Sequence, residues 1–194
     1  VDWLETREDV DAARIGCEGV SLGGYYCPRA VAFERRIAAC IADDGVYDYG
    51  AAQLSGVPEA SRAQVKAALS APSAPQLDAR LQQMMKANSV ARWAFTQGMY
   101  AMGVASPRAY LAAAQAYHLR GGIAEQIQCP TLVCDAEKDL FFNGQAQQLY
   151  DHLTCRKTLM KFTDAEGAGA HCEVGASRLA FARMYDWLDE TLSV

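Results

Sequence analysis

The sequence has no run of about 18 consecutive apolar residues, the length a helix needs to cross a bilayer, so no membrane span is predicted. It has no surplus of basic residues either, with 18 Lys and Arg against 23 Asp and Glu and a net charge of −5. Phosphate binding needs clustered Lys and Arg, so a nucleic-acid groove is not expected. Histidine is scarce, with three residues, and none of the seven cysteines forms a C-x-x-C pair. Zinc-knuckle and thioredoxin-like motifs therefore drop out, and no metal site is expected. Also missing are an initiating Met and a signal-peptide pattern; the chain opens on Val1, and targeting is not read from such a start.

What is present is material for a packed core. Hydrophobic residues make up 51% of the 194 and charged residues 21%, which excludes disorder and suits one domain with an insertion. Several cysteines lie in apolar runs, as in Ile37-Ala38-Ala39-Cys40-Ile41, and read as buried reduced thiols. Reduced thiols and the absence of an anchor give a cytoplasmic location as the expectation.

Residues 2–7 read as a helix end and 15–20 as a short buried strand. A helix follows over 23–36, then a second buried strand over 37–42 that ends in the turn signal Asp43-Asp44-Gly45. The block 46–127 is different, being rich in Ala, Gln, Arg, Met and aromatics. Helices are predicted there over 61–69, 76–87, 90–102 and 107–117, with Ser61 and Ser106 as N-caps and Pro107 at a first helical position. This block is read as a helical lid insertion. Its aromatic and Met side chains, among them Trp93, Phe95, Tyr100 and Tyr110, would either roof an apolar pocket or pack the lid itself. Strand alternation resumes over 130–134, followed by a helix over 143–153, a strand over 157–162 and an amphipathic helix over 177–192. Outside the insertion the order is β-α-β, then β-α-β-α. That order predicts an α/β fold with a mostly parallel sheet covered by helices, built from 1–45 and 128–194.

Gly19-Val20-Ser21-Leu22-Gly23 fits G-x-S-x-G between a buried strand and a helix. The motif works because a strained strand-to-helix turn exposes the serine Oγ, and the flanking glycines let strand and helix pass closely. A serine hydroxyl needs a base within hydrogen-bond reach. His118 lies in the helical block and His152 on a predicted helix. His171 alone follows a flexible loop, Gly167-Ala168-Gly169-Ala170, after the last strand. The base needs an acid to fix its tautomer. Asp139, just past the strand at 131–134, gives the chain order Ser, Asp, His of one large hydrolase class. Asp135 is its nearest rival, and Asp43, Asp44 and Asp48 are a second possibility. Leu22 N–H, next after the nucleophile, is one expected oxyanion donor. The second donor normally comes from strands that would precede the elbow, so the N-terminal half of the same protein is expected as a missing part. Tyr25 and Tyr26 could touch substrate, with Tyr25 the candidate contact, or pack the helix on the sheet. Cys172 beside His171 reads as a structural thiol.

These residues resemble the α/β-hydrolase superfamily. The stretch RIGCEGVSLGGYYCPRAVAFERRIAACIA is similar to its elbow region, CPTLVCDAEKDLFF to its acid segment and GAGAHCEVGA to its histidine segment. The group most similar holds dihydroxypseudooxynicotine hydrolase, the polyketide chain-shortening pigment hydrolases and the FrsA-like esterases. The resemblance places the nucleophile on Ser21, the acid on Asp139 and the base on His171. It implies a serine hydrolase with a helical lid that cleaves esters or ketone-adjacent C–C bonds of a small-molecule substrate without a cofactor, and a homodimer is a further expectation. Ala136 stands where the group usually has Gly, and the helical block looks longer, so the substrate is not carried over. GVSLGGYY is also similar to the prolyl oligopeptidase peptidases, which usually lack such an insert. A non-catalytic binding module and an acyltransferase are the remaining readings.

Overall fold

The computed structural model describes residues 1–193. After a short helix α1 (Asp2–Glu5), strand β1 (Gly16–Gly19) leads into helix α2 (Gly23–Phe33) and strand β2 (Ala39–Ala42). Helices α3 (Tyr49–Gln53), α4 (Glu59–Ser70), α5 (Pro75–Ala87), α6 (Ser89–Ala101) and α7 (Pro107–Ala114) come next. Strand β3 (Thr131–Ala136), helix α8 (Gln145–His152), strand β4 (Lys157–Phe162) and helix α9 (Ser177–Leu192) complete the order. The four strands form one parallel sheet in the order β1-β2-β3-β4. Parallel strands need crossover connections, and α2 and α8 supply two of them. The α/β expectation therefore holds, and the predicted limits of β4 and α9 are met.

The chain divides into two compact units, one of residues 1–52 and 118–194 and one of residues 53–117. The sheet unit has its core where α9 lies on the strands. Ile41, Leu132, Cys134, Phe162, Ala180 and Met184 are 0–1% exposed, and Trp187 donates from Nε1 to Thr158 Oγ1 at 3.1 Å. All four strands run the same way, so their carboxyl ends share one edge of the sheet, the edge where loops can gather functional side chains.

Helix α2 carries Pro28 in its interior, where a proline cannot donate to the carbonyl four residues back. That carbonyl, on Gly24, accepts instead from Val46 N–H at 3.1 Å, tying α2 to the segment after β2. Gly24 itself must lack a side chain, because a Cβ there would lie 2.6 Å from the Asp44 carbonyl oxygen and 2.7 Å from that of Asp43.

The helical unit is narrower than the predicted block 46–127. Val46, Tyr47, Tyr49 and Leu119 are buried, the segments 46–52 and 118–127 go with the sheet unit, and Asp48 and His118 form an isolated antiparallel bridge. Within 53–117, Phe95 packs edge-on against Tyr110 at 5.7 Å, and Arg108 pairs with Asp78 at 2.8 Å. Of the expected roof residues, Phe95 and Tyr110 are buried while Trp93 and Tyr100 are exposed. Ser106 caps α7 by accepting from Ala109 N–H, with Pro107 next in line as predicted. Ser61 does not cap α4; the helix starts two residues earlier behind Pro58, whose fixed ring geometry suits a helix entrance. Among the described residues no helix is long and apolar enough to cross a membrane, and all seven cysteines are free.

Candidate active site

Ser21 sits in the turn between β1 and α2 with φ of 58°, the left-handed region that a residue with a side chain enters only at a cost. The turn is possible because Gly19 has no Cβ. One built there would fall 2.1 Å from the Gly23 carbonyl oxygen and 2.8 Å from the Cys27 side chain. The second motif glycine differs from expectation. A Cβ at Gly23 would meet nothing within 4 Å, so close passage rests on Gly19 and on Gly24. Leu22 is the N-cap residue of α2, and amides at a helix start have no carbonyl four residues back, so its N–H is suited to an outside acceptor.

The β4 side brings up His171. The loop after Phe162 is anchored by a capping box at Thr163 and Glu166, and Lys138 N–H donates to the Gly169 carbonyl at 2.7 Å. This bond fastens the loop that carries Asp139 to the loop that carries His171. Ser21 Oγ lies 2.9 Å from His171 Nε2, and His171 Nδ1 makes a hydrogen bond of 3.1 Å with Asp139 Oδ1. That same Asp139 oxygen accepts from Phe141 N–H at 2.7 Å and Phe142 N–H at 3.1 Å. The two phenyl rings stand edge-on to the imidazole at 4.8 and 5.4 Å. Three side chains far apart in sequence thus meet at the carboxyl edge of the sheet.

Of the rival residues, Asp135, Asp48, His152 and His118 are engaged elsewhere, whereas Asp44 Oδ2 lies 2.9 Å from His171 Nδ1. Asp135 lies inside β3, in register with Lys161 of β4. Asp48 accepts from Ala51 N–H and pairs with Arg120 at 3.0 Å. His152 stacks on Tyr47 and lies 2.8 Å from Glu125, and His118 bridges to Asp48. Tyr25, the candidate substrate contact, is 3% exposed, whereas Tyr26 is 49% exposed, so burial falls on Tyr25. Cys172 adjoins the base, but burial first and then its hydrogen bond to Asp44 push its thiol up to about 11, a balance that the His171 contact does not reverse. A thiol in that range is not a nucleophile at neutral pH.

The electrostatics favour a charged imidazole. Burial lowers the His171 pKa, but the Asp139 and Asp44 carboxylates outweigh it and raise the pKa well above the usual 6.5. Asp139 is pulled below the usual carboxylate range. Burial opposes that shift, and the hydrogen bonds from His171 and Phe141 overcome it.

No protein-family model matches the chain. Hydrolase phmG of Phaeosphaeria nodorum is 32% identical over 205 residues, a match that covers 98% of this chain and 44% of that protein. The 20-hydroxy-prefusarin hydrolase FUS2 of Gibberella moniliformis is 31% identical over 200 residues, covering 100% of this chain and 47% of that protein. Among solved structures, 2,6-dihydroxy-pseudo-oxynicotine hydrolase superposes with a TM-score of 0.59 at 24% identity, over 99% of this chain and 44% of that one. The α/β hydrolase GrgF from Penicillium sp. sh18 superposes with a TM-score of 0.61 at 17% identity, over 100% of this chain and 69% of that one. The chain has the α/β-hydrolase fold. It spans about half the length of the curated relatives it matches.

The α/β-hydrolase frame leaves three site residues that sequence reasoning did not name, Phe141, Phe142 and Glu173, and one, Asp44, that it named only as an alternative acid. Phe141 and Phe142 enclose His171 and hold Asp139 through their amides; their proximity to the acid in Asp139-Leu140-Phe141-Phe142 was the available signal. Asp44 lies with Oδ2 2.9 Å from His171 Nδ1, and Glu173 is 0% exposed beside it. Two acids closing a buried strand, Asp43-Asp44 after Ala42, were visible in the sequence. That Asp44 reaches His171, 127 positions on, together with Asp139 rather than in its place was not.

Proposed function

We propose that the protein is a serine hydrolase that cleaves an ester or a ketone-adjacent C–C bond of a small organic molecule. The observation that carries this reading is the Ser21 Oγ to His171 Nε2 distance of 2.9 Å, continued from Nδ1 to Asp139 at 3.1 Å. In the proposed reaction Ser21 Oγ attacks a carbonyl carbon while His171 Nε2 takes its proton. Asp139 orients the imidazole and stabilises its charged form. The oxyanion is held by Leu22 N–H, and a second donor is proposed to come from the part of the relatives' length that this chain does not span. Each such donor is worth roughly a hundredfold or more in rate. His171 then gives its proton to the leaving group, an alkoxide in one case and an enolate carbon in the other. A water molecule, deprotonated by His171, attacks the acyl-enzyme and releases the acid and Ser21. Relatives named as hydrolases of 20-hydroxy-prefusarin and 2,6-dihydroxy-pseudo-oxynicotine support a small organic substrate.

The test is labelling of the full-length protein by a fluorophosphonate probe. Labelling is expected for wild type, absent in Ser21→Ala and slowed by roughly 10⁴-fold or more in His171→Ala. An ester and β-diketone panel then separates the two bond classes. A folded wild type that stays unlabelled would overturn the reading in favour of a non-catalytic binding module.

A further inference from the structure

Behind His171 lies a group of carboxylates that the proposed chemistry leaves unused. Asp43 and Asp44 follow β2, and Glu173 stands two residues past His171. The three carboxylates lie within 4.8 Å of one another, and the residues are 0–2% exposed. Asp43 Oδ1, Asp44 Oδ1 and both Glu173 oxygens have no hydrogen-bond partner among the described residues. The remaining oxygen of Asp44 is different. Asp44 Oδ2 lies 2.9 Å from His171 Nδ1 and accepts from Cys172 N–H at 2.8 Å.

We infer that Asp44 is a second positioning carboxylate for His171, which it holds at Nδ1 beside Asp139. The inference rests on the hydrolase reading of Ser21 and His171 and deepens it. Three features carry it. The first is distance, since the Asp44 oxygen is nearer to Nδ1 than the Asp139 oxygen at 3.1 Å, although the hydrogen-bond angle is met by Asp139. The second is competition. Asp139 Oδ1 is shared among His171 Nδ1 and the amides of Phe141 and Phe142, whereas Asp44 Oδ2 serves only the histidine loop.

The third feature is backbone strain. Asp44, Cys172 and Glu173 adopt φ of 54°, 53° and 49°, and together these left-handed residues aim the Asp44 carboxylate and the Cys172 amide at each other. Strain of this kind persists only where the surroundings enforce it. Gly24, which a side chain would drive into the Asp43 and Asp44 carbonyls, completes the fixed geometry.

The charges around His171 are consistent with this role. The groups facing it are Ser21, Asp139, Asp44 and Cys172, with Asp43 and Glu173 behind Asp44. Burial first, and then the neighbouring Asp43, push the Glu173 carboxyl up to about 10, so it is neutral at working pH and adds no negative charge to those of the aspartates. The imidazolium formed when His171 takes the Ser21 proton is then stabilised from two strand ends, by Asp139 after β3 and Asp44 after β2.

In a triad with a single acid, an Asn substitution of that acid leaves the wrong tautomer and loses roughly 10⁴-fold in rate. Two acids predict a different pattern in fluorophosphonate labelling of the full-length protein. Asp139→Asn should lose only about 10- to 100-fold, because Asp44 still selects the Nδ1–H tautomer. Asp44→Asn should slow labelling about 10-fold and move the rising limb of the pH profile to lower pH, and the double variant should lose roughly 10⁴-fold. Nitrogen-15 NMR titration of His171 in Ser21→Ala protein, with and without Asp44→Asn, reads the coupling apart from activity. A fall in the His171 pKa is expected.

An Asp139→Asn variant that drops at once to the His171→Ala level overturns the inference, and it decides the matter even where Asp44→Asn fails to fold. Unchanged titration of His171 in Asp44→Asn also overturns it while leaving the hydrolase reading intact. A wild type that never labels although His171 titrates in step with Asp44 overturns the hydrolase reading, and the positioning role with it.

Discussion

In the proposed hydrolase the Ser21 hydroxyl is activated only while His171 Nε2 is free to accept its hydrogen. An imidazolium donates toward Oγ instead, and the carboxylates at Nδ1 favour that charged form. Labelling of Ser21 should therefore rise with pH through an apparent pKa above 6.5, and a stopped-flow pH series reads that limb directly. Glu173 makes a second residue-scale prediction, this one about stability. Its folded-state carboxyl is raised by burial, and then by Asp43 and Asp44, from 4.5 to about 10. The folded chain thus keeps a proton that the unfolded chain has released, and stability falls as pH rises through that interval. Glu173→Gln cannot ionise and escapes this loss. It should gain stability over wild type at pH 8, on the order of 1–3 kcal/mol, and gain little near pH 5, as followed by urea denaturation.

At the scale of elements, the site depends on how closely α2 approaches the turn after β2. Gly24 sets that approach, and its neighbours there are backbone atoms that cannot swing aside. Gly24→Ala should cost about 1–3 kcal/mol and slow Ser21 labelling, since the turn carrying Asp44 must move. Gly23→Ala, with open space around its Cβ, should change the melting temperature little; thermal melts of the pair test the contrast. The elements themselves were readable because each had its own period and punctuation. The Thr-Leu-Val run of β3, the capped start at Ser106-Pro107 and the apolar stripe of α9 are local signals. The elbow and the Ser, Asp, His order were readable because each loop follows a recognisable strand. Asp44 was readable only as an alternative acid; its approach to His171 beside Asp139 was not, because it depends on the register of β2 beside β3 and on left-handed backbone at residues 44, 172 and 173. The short helix α3 was missed as well, since Tyr49-Gly50-Ala51 has no helix-start pattern beyond the Asp48 side chain that accepts from Ala51 N–H.

For the whole molecule, the division into a sheet unit and a helical unit makes a prediction about excision. In the sheet unit Asp48 and His118 are bridged, so the two points that lead into and out of residues 53–117 are already close together. Replacing 53–117 in the full-length protein by a short Gly/Ser linker should preserve cooperative unfolding of the sheet unit and fluorophosphonate labelling of Ser21. Loss of both would mean that the helical unit is required for the sheet unit to fold.

The bridge at Asp48 and His118 also bears on how such a chain can change over generations. Loop-closure entropy depends on the logarithm of the enclosed length, about 0.6 kcal/mol for each doubling. With its two ends clasped by the sheet unit, the enclosed segment can gain or lose a helix for a small entropic difference, while the register of β1 to β4 is undisturbed. Descendants could therefore diversify the enclosed helices rapidly and keep the residues at the sheet edge almost unaltered.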